Sequence, residues 1–405
     1  MGEYRAPGVY VEEVAGGPRP IQAVGTSTAG FVGEAPRADA VKDQPVAIEN
    51  WSQFLERFGN GTTMTPLAHA VYGFLLNGGR RCYVVNVGKG GQLVGGAQGR
   101  KGLDVLAERD EIAIVAAPGY TDAASYDAIL THCRNVPYRV AILDPPREVT
   151  DIDFLTQPAT VPAGTPPAPG GPADKGLGPQ ADDKGRGAFY FPWIRVRDPL
   201  SSDPPPKNIV AVPPSGHLAG IYARSDATRG VHKAPANEPI YGALGLTYAV
   251  TQAEQEELNP AGVNCIRFLP EGIRVWGART VAKGASEWRY LNVRRLFNMI
   301  ERSIAESTRW IVFEPNDETL WKAIRRDVRA FLTLVWRDGA LMGRTPEEAF
   351  FVQCDAETNP PEVIDAGRVV TKIGIAPVKP AEFIIFQIAQ HAGGAEVTTP
   401  GGANA

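Results

Sequence analysis

A block of helices and strands near the C-terminus, residues 290–390, places the strongest constraint on how this chain can fold. Helically spaced apolar residues alternate there with short strand-like runs, which predicts the order helix, strand, helix, strand, strand, strand. We expect Asn292 to cap the first helix and Asp317 to cap the second, which ends where Gly339 suits a left-handed residue. The predicted strands are residues 310–313, 349–354, 369–376 and 383–389. The block therefore predicts an α/β domain of its own.

Both ends of the chain carry a short strand-like segment beside a break rich in glycine and proline. Residues 9–14 alternate in hydrophobicity and precede the break at residues 16–20, whereas residues 383–389 follow Pro377 and Pro380. A strand this short and isolated cannot bury a face alone, so each must add to a sheet elsewhere. That sheet can belong to the same domain or to a neighbouring copy, and the residue pattern leaves both alternatives open.

The second helix of the block has two different faces. Its apolar stripe consists of Ile324, Val328, Phe331 and Val335, which the spacing predicts to face the core. Its basic stripe consists of Lys322, Arg325, Arg326 and Arg329. These cations repel one another by about a few tenths of a kcal/mol per neighbouring pair, and only Asp327 lies nearby in sequence to relieve them. The stripe is either a solvated face or a surface that docks against an acidic partner.

The region before this block has the pattern of a larger α/β domain. A strand at 112–116, a helix at 123–135 and a strand at 139–143 form a βαβ unit, which implies a parallel pair of strands. Residues 158–187 are rich in proline and glycine and are predicted to form a mobile surface loop. The predicted organisation is an N-terminal arm (1–20), an outer α/β domain (21–280), an inner C-terminal α/β domain (281–378), and a C-terminal arm and tail (379–405).

Composition excludes several classes of protein. The chain has 405 residues, 43% hydrophobic and 21% charged, and a formal net charge of -4, so no overall charge favours nucleic acid or an anionic membrane. No N-terminal secretion signal and no apolar run long enough to span a bilayer are recognisable. The cysteines Cys82, Cys133, Cys265 and Cys354 are far apart and are expected to be buried reduced thiols.

Motifs for catalysis or cofactor binding are weak. The glycine-rich run 88–91 lacks the helix start of a phosphate-binding loop, and Ser215 precedes Gly216 in a turn, outside any nucleophile motif. His132 and Cys133 are adjacent on a helix and so point to different sides. No histidines have metal-ligand spacing. We therefore expect no cofactor and no metal.

One loop offers an enzymatic alternative. Asp226, Arg229 and His232 lie close in sequence and would form either an ion-pair cluster or the site of an α/β hydrolase. The carboxylate pair Asp182 and Asp183 is predicted to be surface charge. A multi-domain α/β chain with two strand-like arms and no evident active site suits a subunit of an assembly better than an enzyme.

An ordered set of short motifs extends over nearly the whole chain. They lie at residues 7–11, 28–33, 212–216, 219–226, 230–238, 258–264, 275–280 and 292–297. With them, the chain resembles the contractile tail sheath proteins of phages and of related bacterial contractile injection systems. Residues 159–187 follow no pattern of that family, and the chain has no room for the large outer insertion of some phage sheaths.

The resemblance implies a subunit that forms a helical stack of hexameric rings around an inner tube and contracts from a metastable extended state. The implied partners are further copies of the chain, the inner tube protein, and baseplate and tail-terminator or cap proteins, without nucleic acid and without direct membrane insertion. The resemblance also implies that these subunits assemble in the bacterial cytoplasm and become part of a phage tail or a tail-like particle. The sequence leaves open whether the particle is a phage tail or a tail-like particle. It also leaves open the alternative that the chain is another tail or baseplate protein.

The resemblance also assigns roles to residues. It implies that both arms add strands to the C-terminal domains of neighbouring subunits while the breaks at 16–20 and 377–380 let the bodies rotate. The implied arm residues are Val9, Tyr10, Val11, Val14, Phe383, Ile384, Ile385, Phe386 and Ile388. The implied tube-facing residues are those of the basic stripe, Lys322, Arg325, Arg326 and Arg329.

Overall fold

A nine-stranded sheet lies at the centre of the structure, a computed structural model that describes residues 20–95, 99–160 and 176–385. The strands of these residues are β1 (Ala29–Gly33), β2 (Val46–Ile48), β3 (Cys82–Asn86), β4 (Ile114–Ala116), β5 (Val140–Leu143), β6 (Gly187–Phe191), β7 (Ile194–Arg197), β8 (Ile209–Val212), β9 (Glu238–Pro239), β10 (Ala243–Leu246), β11 (Val263–Leu269), β12 (Gly272–Trp276), β13 (Phe350–Gln353) and β14 (Lys372–Ile375).

Helices connect most of these strands. The α-helices are α1 (Trp51–Phe58), α2 (Pro66–Leu76), α3 (Leu103–Leu106), α4 (Ala123–Asn135), α5 (Ser215–Arg229), α6 (Gln252–Leu258), α7 (Leu291–Ser307), α8 (Glu318–Arg337), α9 (Pro346–Ala349) and α10 (Pro361–Asp365). In the described residues, two short 3-10 helices are Ile152–Thr156 and Arg309–Ile311. The mixture of helices and strands confirms the predicted α/β class.

The large sheet has the strand order β2-β3-β1-β4-β5-β6-β11-β12-β9. Its middle strands, from β3 to β11, run parallel, whereas β2, β12 and β9 pair antiparallel at the two edges. The predicted βαβ unit is present as β4, α4 and β5. Strands β10, β7 and β8 form a separate antiparallel sheet, and β13 pairs with β14 in a third.

Alternating residues of the central strands bury their side chains on opposite faces of the large sheet. Phe31 of β1 packs in one core with Phe74 of α2 and Tyr222 of α5. Its neighbour Val32 packs in a second core with Leu130 of α4. Parallel sheets need cover on both faces, and these helices supply it.

Helices α2 and α5 approach each other closely on the first face. A Cβ atom on Gly216 would lie 2.2 Å from the Cα atom of Ala70, so only glycine fits at that position. The imidazole of His217 lies against Gly73 in the same interface and is 2% exposed. Its ring is therefore enclosed between two helices, where a positive charge would lose its hydration.

The buried histidines predict a dependence of stability on pH. Burial lowers the pKa of His217 to about 3, and burial together with the Arg139 guanidinium lowers the pKa of His132 to about 4. An unfolded histidine has a pKa of about 6.5, so the unfolded chain binds more protons below that value. The contribution of His217 to the free energy of unfolding is therefore at its maximum above pH 6.5. As the pH is lowered from 6.5 to about 3, this contribution falls by about 1.4 kcal/mol per pH unit.

Urea unfolding of the His217→Asn variant between pH 4 and 6.5 tests this expectation. In the variant, the free energy of unfolding should rise with pH less steeply than in wild type, by about 1.4 kcal/mol per pH unit. This difference in slope does not depend on the absolute stability of the variant. The comparison must be with wild type at each pH, because burial raises the pKa of Asp144 to about 7 and so gives a slope of opposite sign. Equal slopes in the two proteins would contradict the prediction.

A third core belongs to the C-terminal region. The apolar stripe of α8 is buried there, as predicted, through Ile324, Val328, Phe331 and Val335. Leu296 and Ile300 of α7 and Phe350 and Val352 of β13 complete the packing. Ile21, which directly follows the predicted N-terminal arm, is also part of this core.

The sequence predicted both ends of α8 correctly. Asp317 is the N-cap, and its Oδ1 accepts a hydrogen bond of 2.8 Å from the backbone N–H of Leu320. The helix ends at Arg337, and Gly339 follows in the left-handed region with a φ of 78°.

Two predictions for this region are wrong. Asn292 does not cap α7, because the N-cap is Tyr290 and the Asn292 side chain is buried. Its Nδ2 donates instead to the carbonyl oxygens of His232 and Val378, at 2.8 and 3.1 Å. The predicted strand 310–313 is replaced by a 3-10 turn and a loop in which Phe313 is fully exposed.

The predicted mobile loop 158–187 is partly folded. Residues 161–175 lie outside the described range, but residue 178 is bridged to residue 158. Asp182 is 4% exposed, and its carboxylate accepts from Arg134 at 3.0 Å and from Arg186 at 3.2 Å. The prediction that Asp182 is surface charge is therefore wrong, because Arg134 of α4 and Arg186 of the same loop pair with its buried carboxylate.

Candidate functional site

The described part of the C-terminal arm is an exposed apolar segment. Phe383, Ile384 and Ile385 are 73%, 74% and 81% exposed, and they are not part of a strand. The predicted strand 383–389 is thus not formed over these three residues, whereas Phe386 and Ile388 lie outside the described residues. Adjacent apolar side chains this exposed are typical of a segment that packs against another surface.

The sheet formed by β13 and β14 has unpaired edges. Within residues 20–95, 99–160 and 176–385, β13 pairs only with β14, and β14 only with β13. One face packs on α8 through Phe350 and Val352, while Phe351 on the other face is 57% exposed. A two-stranded sheet is marginally stable on its own, and each open edge can accept a further strand.

The predicted N-terminal arm residues Val9, Tyr10, Val11 and Val14 lie outside the described residues. The chain that follows them is attached to α7. The backbone N–H of Gln22 donates to Ser307 Oγ at 3.3 Å, and that of Val24 donates to Ser303 Oγ at 3.0 Å. With Ile21 in the C-terminal core, the attachment point of this arm is fixed beside the C-terminal region.

The basic stripe on α8 is less unbalanced than the sequence predicted. Lys322 pairs with Glu318 at 2.9 Å, and Arg329 pairs with Glu347 of α9 at 3.3 Å. The expectation that only Asp327 relieves the stripe is therefore wrong. Glu318 lies one helical turn before Lys322, whereas Glu347 is brought there by the fold.

The remaining cations of the stripe have different partners. Arg326 Nε lies 2.9 Å from Asp327, which is buried, and Arg325 Nη1 donates to the carbonyl of Cys354 at 3.4 Å. Exposed ion pairs contribute only about 0–1 kcal/mol each, so an acidic partner can replace the intramolecular carboxylates. The stripe is a largely exposed surface that carries charges of both signs with a basic excess.

The predicted cluster of Asp226, Arg229 and His232 is not formed. Asp226 belongs to α5, and its carboxylate binds the guanidinium of Arg295 on α7 through two contacts, at 2.8 and 2.6 Å. The hydroxyl of Thr26 donates to the same carboxylate. The side chains of Asp226 and Arg295 are 7% and 3% exposed, so the ion pair joins three chain segments in the interior.

The other candidates for chemistry have buried side chains. Ser215 begins α5, and its Oγ donates to Asp144 at 2.7 Å in the interior. His132 lies 2.7 Å from an Arg139 nitrogen, and Cys133 is buried. In the part of the chain that the structure describes, no group of histidine, cysteine or acidic residues could hold a metal ion. No helix among those residues is long and apolar enough to span a membrane.

A second ion pair, largely buried, was not predicted from the sequence. Arg279 and Glu382 are 10% and 15% exposed in their side chains and lie 2.6 Å apart. Glu382 directly precedes Phe383, and it is the one acidic residue between Pro380 and the end of the apolar run. That isolated charge was the signal in the sequence, but its partner lies 103 residues away.

Comparison with protein families matches two consecutive regions of the chain. Residues 183–281 match the phage tail sheath protein central domain, and residues 284–391 match the phage tail sheath C-terminal domain. The boundary between them falls just before α7.

Solved structures match almost the whole chain. The sheath complex of an extracellular contractile injection system, PVC, in its contracted state is 30% identical with a TM-score of 0.77, covering 97% of this chain and 99% of that one. The contracted helical sheath of the anti-feeding prophage is 29% identical with a TM-score of 0.74, covering 96% and 100%.

Curated relatives match over a smaller part. The tail sheath protein of Vibrio phage KVP40 is 30% identical over 177 residues, which is 43% of this chain and 26% of that protein. A putative prophage major tail sheath protein of Pseudomonas aeruginosa is 28% identical over 182 residues, 44% of this chain and 45% of the relative. The chain thus spans less than half the length of these two proteins.

Proposed function

Because the chain belongs to the contractile tail sheath family, we propose that it is the structural subunit of a contractile sheath. In this proposal, subunits polymerise as a helical stack of hexameric rings around an inner tube. The observation that carries the proposal is the likeness to a contracted injection-system sheath over 97% of the chain. The chain is proposed to act mechanically and not as an enzyme.

Strand exchange is the proposed link between subunits. The apolar segment that begins at Phe383 adds to an open edge of the β13–β14 sheet of a neighbour, and the segment containing Val9 to Val14 adds to another. The exposure of residues 383–385 and the unpaired edges of the sheet support this assignment. Main-chain hydrogen bonds give such links strength without fixing the relative orientation of the two bodies.

Contraction follows from two alternative packings of the same bodies. The extended sheath is metastable while the tube and baseplate hold it, and release lets the subunits repack into a wider and shorter helix with larger contacts. Interfaces with two discrete arrangements supply this bistability. The free-energy difference drives the tube outward, and the stroke needs no nucleotide.

The proposed partners are the inner tube, the baseplate and the tail-terminator or cap proteins. One relative is part of a solved baseplate complex of the anti-feeding prophage, which supports contact with a baseplate. Assembly is proposed to occur in the bacterial cytoplasm, on a phage tail or a tail-like particle.

Negative-stain microscopy of the chain expressed with its neighbouring tube gene tests the proposal. Long striated cylinders, hollow and wide when contracted, are the expected result. Monomers alone, with both tube and baseplate genes present, would overturn it.

The basic stripe of α8 provides a prediction about the tube. Reversing the charge at Arg325, Arg326 and Arg329 together is expected to reduce sheath assembled on the tube by about tenfold at low salt, because three attractive contacts become repulsive. Sedimentation of sheathed tubes at several salt concentrations measures the effect.

The matched control reverses Lys89, Arg100 and Lys101, which are exposed and precede the two sheath-family regions in the sequence. This control changes the net charge equally, so it should assemble like wild type. Equal assembly of the two variants would return the stripe to the role of a solvated face.

A further inference from the structure

The C-terminal arm leaves the subunit beside a forked ion pair. Arg279 Nε donates to Glu382 Oε1 at 2.9 Å, and Arg279 Nη2 donates to Glu382 Oε2 at 2.6 Å. The hydroxyl of Tyr290 donates to the same Oε2 at 3.3 Å. Two parallel charge-assisted bonds fix direction as well as distance, and partial burial shields them from salt.

Arg279 is itself held by the central sheet. Its backbone N–H donates to Asn264 Oδ1 at 2.7 Å, and Asn264 Nδ2 donates back to the Arg279 carbonyl at 2.7 Å. Its Nη1 donates to the carbonyl of Asn259 at 3.0 Å. Asn264 lies in β11 and is fully buried, so the guanidinium is presented from a rigid element.

The segment before Glu382 is attached to the C-terminal domain. The backbone N–H of Met342 donates to the carbonyl of Ala376 at 2.7 Å, and that of Val378 donates to the carbonyl of Ala340 at 3.2 Å. Asn292 Nδ2 also binds the carbonyl of Val378. The break expected to be flexible at residues 377–380 is therefore fastened to the body.

The chain beyond Glu382 is exposed over the residues that the structure describes. Glu382 is largely buried by Arg279, whereas Phe383 is 73% exposed and the next two residues are more so. Lys379 and Ala381 are exposed as well, so the boundary of the attached chain is set by the hydrogen bonds of Glu382 and not by exposure alone.

We propose that the Arg279–Glu382 pair is the pivot of the C-terminal arm, so that only residues from 383 onward pass to a neighbouring subunit. This inference rests on the proposed sheath assembly. Arg279 acts as a positioning residue: it aims the arm, and a subunit without it presents the arm in many directions. The apparent affinity for a neighbour then falls with the fraction of correctly aimed arms.

Pulsed electron spin resonance on the full-length chain tests the pivot. Spin labels attached at Ile384→Cys and Ala253→Cys measure the distance between the arm and α6. The four native cysteines are buried, so they should not react with the label. Glu382→Gln removes the charge at nearly constant shape. We expect a broader distance distribution and about a tenfold rise in the concentration needed for assembly.

Glu362→Gln is the matched control, because Glu362 is exposed on α10. It should change neither the distribution nor assembly. A narrow, unchanged distribution in Glu382→Gln, or a broad one already in wild type, would overturn the pivot. If the pivot is overturned but wild type still forms sheaths, the proposed sheath function stands. If wild type does not form sheaths with its tube and baseplate proteins, both the pivot and the sheath function are overturned.

Discussion

Removal of residues 383–405 is expected to leave a folded subunit that no longer assembles into sheaths. The described residues that are lost, 383–385, are exposed, so the three cores remain intact. Each subunit loses the strand that we propose it donates. Several main-chain hydrogen bonds of about 1 kcal/mol each disappear per link, which should raise the concentration needed for assembly by about a hundredfold or more.

Circular dichroism and thermal unfolding of the truncated chain report folding, and microscopy with the tube protein reports assembly. The control is deletion of residues 391–405 alone, which retains the apolar run and should assemble. Normal sheaths from the longer deletion would refute the role of the arm.

Arg295→Met is expected to lower the free energy of unfolding by about 3–5 kcal/mol, because it leaves the Asp226 carboxylate buried without its counter-charge. The loss is large against a total of about 5–15 kcal/mol for a folded domain. The pair joins α5, α7 and the segment containing Thr26, so the effect should reach both domains.

Urea denaturation measures this effect. Adding Asp226→Leu to Arg295→Met removes the unpaired charge and should recover a large part of the loss. Arg309→Met is the matched control, since Arg309 is 73% exposed and lies 3.9 Å from Asp110, and it should cost less than about 1 kcal/mol. A similar small loss in Arg295→Met would show that hydration or other groups compensate Asp226.

Local signals explain what the sequence predicted well. At α8 the cap residue Asp317, the apolar stripe and Gly339 all indicate the same helix, and the structure agrees. At residues 310–313 a short apolar run predicted a strand, yet an apolar run of that length does not distinguish a strand from a short helical turn. Asn292 had the residue type of a cap, but tertiary contacts with His232 and Val378 use its amide instead.

The buried ion pairs could not be derived from spacing. Asp226 and Arg295 are 69 residues apart, and Arg279 and Glu382 are 103 apart. Nearby residues of suitable type, Arg229 and His232, offered a local partner for Asp226 that the fold does not use. Residues that form ion pairs far apart in sequence have no regular spacing, so their partners can be identified only from the packed structure.

The positions of two contacts on helix α7 have a mechanical consequence. The chain leading from the N-terminal arm is hydrogen-bonded to Ser303 and Ser307, near the end of the helix, and the segment leading to the C-terminal arm is bonded to Asn292, near its start. These sites are separated by about 20 Å of helix. In the proposed assembly, tension that neighbours apply to the two arms passes along α7 as axial load. On the C-terminal side, the Arg279–Glu382 pair passes part of this load to β11, so the nine-stranded sheet is loaded at that strand while α7 carries the rest.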